Sequence, residues 1–118
     1  MKIILSTENS LAAMRLRDQI IKTLKGEIYG LTIETWSYTM SGENFDILYH
    51  NPIQYTRDSL KNVLFKLDLD GTNIILSIVW WKKNPEPSYE IKCLHTGRLT
   101  EMLLRYFSDR YIKLTIVE

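Results

Sequence analysis

An α+β domain built on a mostly antiparallel sheet is the fold this chain predicts, and three observations predict it. The stretch from Asn73 to Trp81, read Asn-Ile-Ile-Leu-Ser-Ile-Val-Trp-Trp, is apolar on both alternating faces, as in a strand covered from above and below. Asp70-Gly71 stands directly before it, and that dipeptide is the signal of a tight hairpin whose first arm must then be Val63 to Leu69. Clear helical periods occupy two segments, one near each end of the chain. Residues 56–69 fit both periods, Leu60, Val63, Leu64 and Leu67 a helix and Val63, Phe65, Leu67 and Leu69 a strand, and the Asp70-Gly71 turn decides for the strand, so the strands run consecutively between the helices. The expected order is β-α-β-β-β-β-β-α-β, with about five to seven strands, two helices on one face and the other face open, and residues 1–118 forming a single domain.

Each element has a local reason. Lys2 to Leu5 is a short β-branched run that ends at Ser6-Thr7-Glu8-Asn9-Ser10, a cluster of helix N-cap residues. Between Leu11 and Lys25, Ala13, Leu16, Ile20, Ile21 and Leu24 gather on one side at about 100° per residue, and Gly26 closes the helix; Leu11 and Met14 fall off that stripe. Ile28 to Met40 is β-branched and aromatic, with a strand over its second half, a turn at Ser41-Gly42-Glu43-Asn44 and a returning strand from Phe45 to His50. One helical turn is expected around Thr56 to Leu60. The two-proline loop Lys82 to Ser88 separates Trp81 from a further strand, Tyr89 to Leu94, which completes a three-strand meander. Thr96 and Gly97 then start the second helix, whose Leu99, Met102, Leu103, Tyr106 and Phe107 recur at helical spacing, and Lys113 to Val117 closes the chain as a strand parallel to a neighbour.

Composition narrows function by exclusion. Fifteen basic against fourteen acidic residues give a formal net charge of +1, so no global field attracts nucleic acid or anionic lipid, and nucleic acid is a disfavoured partner. A single cysteine, Cys93, rules out an internal disulfide and fits a cytoplasmic protein. The Ile74 to Trp81 run is less than half the roughly 20 residues a membrane helix needs, and the N-terminal Met-Lys-Ile-Ile-Leu is too short for a signal-peptide core.

Two groups of residues stand out. Cys93-Leu94-His95-Thr96-Gly97-Arg98 is expected at a strand-to-helix junction, where unpaired amides with His95, Thr96, Gly97 and Arg98 would bind a small anionic ligand such as a phosphate or carboxylate. The plainer reading has Thr96 capping the helix and Arg98 pairing with Glu101. Cys93 and His95 would share a strand face, yet they and His50 lack the spacing of a metal or nucleophile site. Asp68 to Asn73 has the opening of a calcium loop without its downstream glutamate, so the hairpin reading wins. No cofactor is implied.

The second group is aromatic: Trp36, Tyr38, Trp80, Trp81 and Tyr89, all expected on strands. Trp80 and Trp81 must face opposite sides of the sheet, one in the core and one on the open face, with Lys82, Lys83 and Lys92 nearby. The expectation is a non-enzymatic domain that binds another protein, or a second copy of itself, through the open sheet face or a sheet edge.

Overall fold

The computed structural model describes residues 1–51 and 63–118; the helical turn expected around Thr56 to Leu60 lies outside them. The elements are β1 (Lys2–Ser6), α1 (Ser10–Leu24), β2 (Trp36–Met40), β3 (Asp46–His50), β4 (Leu64–Asp70), β5 (Asn73–Val79), α2 (Tyr89–Phe107) and β6 (Lys113–Val117). The strands form one sheet in the order β2-β3-β4-β5-β1-β6, and every neighbouring pair is antiparallel. The predicted α+β class, with two helices on one face, is the fold observed.

The hairpins follow from their turn residues. Asp70 pairs with Asn73, so the two loop residues are Gly71 and Thr72, and Gly71 takes φ +59, a conformation that glycine adopts without a Cβ clash. Between β2 and β3, Asn44 carries the positive φ, and the Ser41 side-chain oxygen accepts a hydrogen bond from Phe45 N–H at 3.1 Å. Helix α1 begins where Asn9 Oδ1 accepts from Ala12 N–H at 2.8 Å.

Strand pairing fixes which residues share a face. Ile3 opposes Leu76, Leu76 opposes Leu67, Phe65 opposes Ile78, and Leu48 opposes Phe65. These residues form the core with Ala13, Leu16 and Ile20 of α1 and Leu99, Leu103 and Phe107 of α2, so both helices cover the same side. Ile75, Ser77 and Val79 of β5 lie on the opposite side and are half-buried. The apolar run at Asn73 is therefore central in the sheet but fully covered on one face only, and its strand ends at Val79 rather than at Trp81.

Two expectations are corrected. Tyr89 to Leu94 is the first part of α2 and not a strand: Ser88 Oγ accepts from Ile91 N–H at 3.2 Å, Glu90 sits in the first turn, and Ile91 continues the buried stripe of His95, Leu99 and Met102. The meander consequently runs from β2 to β5. Strand β6 pairs antiparallel with β1, not parallel to its neighbour, because β1 is inserted between β5 and β6 and separates the two ends of the α2 crossover. Among the described residues, no helix is long and apolar enough to cross a membrane.

Candidate interaction groove on the open sheet face

The open face carries a groove of about 590 Å³ at the end of the sheet where β3, β4 and β5 meet the turn after β2. Ile47 opposes Lys66 and Leu64 opposes Val79 across the ladders, so these four side chains share the open face. Phe45 and Trp81 complete the apolar lining, with Trp81 43% exposed. Ile47 and Leu64 are buried yet stand apart from the main core, as expected for the floor of a depression on the other side. Trp80 and Trp81 lie past the end of β5, where strand alternation no longer governs them, and both line the groove, so the expected division of this pair between core and open face is not observed.

The rim is mostly cationic. Lys66 Nζ lies 3.7 Å from the centroid of the Phe45 ring and 3.7 Å from Asp68 Oδ2, so its stem covers apolar surface while its charge is partly compensated. Lys82 and Lys83 are exposed at the groove wall, and among the described residues neither has a carboxylate within ion-pair distance. Glu43 is the one acidic lining residue among those described.

The five aromatic residues expected to share a binding surface are divided by the fold. Trp36 is 2% exposed beneath the helices, its ring edge-on to His50 at 5.1 Å and tilted against Phe65 at 6.0 Å. Tyr38 is on the same covered face; its hydroxyl donates to Asp46 Oδ1 at 2.6 Å, and burial followed by that carboxylate pushes its pKa up to about 12. Trp80 borders the groove while Lys92 Nζ stands 5.2 Å over its ring, and Lys92 in turn pairs with Glu86. Tyr89 is exposed on α2 rather than on a strand, and its hydroxyl donates to Glu118, which raises its pKa. Only Trp80 and Trp81 meet at the groove.

His95, Thr96, Gly97 and Arg98 occupy the second and third turns of α2, not its start, so their amides belong to the helix and none is left for an anion. Thr96 is buried and its hydroxyl reaches Met1 Sδ at 3.1 Å, while Arg98 Nη1 lies 3.4 Å from Glu101 Oε2. Cys93 is exposed and His95 buried, since residues two apart on a helix point roughly 200° from each other. The two histidines, far apart in sequence, do meet: the rings of His50 and His95 stand edge-on at 6.0 Å. Burial first, and His50 second, lower the His95 pKa to about 4, so it is neutral at physiological pH. Among the described residues, no three His, Cys, Asp or Glu side chains converge as a metal site.

Phe45, Ile47, Leu64, Lys66 and Val79 were not singled out from the sequence as site residues. The alternation that puts Ile47, Leu64, Lys66 and Val79 on one face is a signal, but it acquires meaning only once the register of β3, β4 and β5 is known. Compared with protein-family models, curated proteins and solved structures, the chain shows no significant match.

Proposed function

We propose that the chain is a protein-interaction module whose open-face groove takes an apolar side chain of a partner segment that also carries acidic residues. The observation that supports this reading is a solvent-exposed tryptophan at the wall of an apolar depression with Lys82 and Lys83 unmatched beside it among the described residues. Apolar burial supplies affinity, and the lysines select against basic partners and speed encounter with acidic ones. Concave apolar sites with a few charged groups at the rim are the usual form of such pockets.

The test is selection from a displayed random-peptide library, followed by titration of the selected peptides against intrinsic fluorescence. Expected sequences combine an aromatic or large aliphatic residue with Asp or Glu within a few positions, and Trp81→Ala weakens them by roughly 2 kcal/mol or more. Selected peptides that bind Trp81→Ala and Lys82→Glu/Lys83→Glu variants as well as the parent chain would sink the proposal.

A further inference from the structure

Among the described residues the sheet ends in two edge strands, β2 and β6, and they differ in what they offer. An edge presents unpaired backbone donors and acceptors, which proteins usually blunt with proline, a bulge or inward charge. Strand β6 has none of these along Leu114 to Val117, and its ladder with β1 runs through five consecutive pairs without interruption. Ile116 on the strand is 49% exposed, and Ile112 just before it is 67% exposed.

The flank of α2 beside this edge is apolar as well. The hydrogen bond from Tyr89 to Glu118 sets that flank next to the end of β6. Cys93 and Leu104 are also exposed and fall within roughly 60° of Tyr89 around the helix, so these residues form an exposed strip along α2 that meets the end of β6 at Tyr89.

We propose that two copies of this chain associate through β6, strand against antiparallel strand about a two-fold axis at Thr115, with their α2 helices side by side above the junction. Charge complementarity commits the strip to a second copy. Pairing about Thr115 sets Leu114 across from Ile116 of the copy and Lys113 across from its Val117, beside its Glu118, and symmetry repeats the Lys-to-Glu approach at the other end. Opposed residues keep the same face, so the six-stranded sheets join without turning either helix layer over. Strand β2, by contrast, has no charged residue from Trp36 to Met40 and gains no reciprocal ion pair. This inference is independent of the groove, which lies on β3 to β5.

Light scattering across a concentration series tests it, with the mass expected to double from 13.9 kDa. Ile116→Lys is expected to raise the dimer dissociation constant by about tenfold or more, and Leu104→Lys to weaken it in the same direction, while Met40→Lys at the β2 edge leaves it unchanged. Circular dichroism checks that each variant is folded; should Ile116→Lys unfold, Leu104→Lys decides. A chain that stays monomeric at every concentration, or a dimer split by Met40→Lys and indifferent to Ile116→Lys and Leu104→Lys, overturns the proposal.

Discussion

Trp36 and Trp81 are both expected on strands of one sheet and are equal candidates for its binding surface, yet they end in opposite surroundings. Trp36 opens β2 on the covered face and is enclosed by His50 and Phe65 beneath α2. Trp81 lies past the end of β5 on the open face, with water on one side and Phe45, Leu64 and Val79 lining the same depression. Residue type is alike; one ring opens a strand under the helix layer and the other follows a strand end on the uncovered face. An enclosed tryptophan contributes to stability through the area it removes from water, whereas one left 43% exposed has the remaining part of that energy still to give to a partner.

The sharpest way to break this contrast is to remove the enclosed ring. Trp36→Ala should cost about 3–5 kcal/mol, because it leaves a cavity against Phe65 and His50 that the two helices cannot collapse into. Denaturant unfolding at constant m-value measures it, and a loss below about 1 kcal/mol would show that the covered face is not the packed one.

Next in size is the response of the covered face to acid. His95 titrates near 6.5 in the unfolded chain and about 4 in the folded one, so between those values the unfolded state binds the proton and the folded state does not. The resulting stability is fully present above pH 6.5 and falls as pH drops through the window, by about 3 kcal/mol at pH 4. His95→Leu should flatten that part of the stability profile relative to the parent chain. Parallel profiles for the two proteins would show that the proton goes elsewhere.

Much of the covered face was legible in the sequence because periodicity reports burial directly: Ala13, Leu16 and Ile20 of α1 and Leu99, Leu103 and Phe107 of α2 were all marked by spacing and all reach the core. Asp70-Gly71 located the β4–β5 hairpin to within one residue. Tyr89 to Leu94 failed because six residues with Tyr, Ile and Cys alternating against Glu, Lys and Leu satisfy a strand template, and the decisive signal, Ser88 capping Ile91, is a single hydrogen bond. That error moved His95 to Arg98 to a helix start they do not occupy. The groove and the meeting of His50 with His95 depend on which strands are neighbours, and strand order is set by long-range pairing that no local pattern encodes.

The smallest effect expected on stability is the most telling about function. Trp81→Ala should cost about 1–2 kcal/mol, well below Trp36→Ala, since the ring is 43% exposed and stands outside the main core although Phe45, Leu64 and Val79 line the same depression. Acrylamide quenching supplies the complementary reading: the parent chain should show an accessible emission component that disappears in Trp81→Ala, while the Trp36 contribution stays protected. A loss of several kcal/mol instead would mean that Trp81 already has its partners inside the folded chain. The groove would then be a second packed core, with no surface left to give. A stability loss well below that of Trp36→Ala, together with a lost quenchable component, separates the two tryptophans, one holding the helices on the sheet and the other held open for a partner.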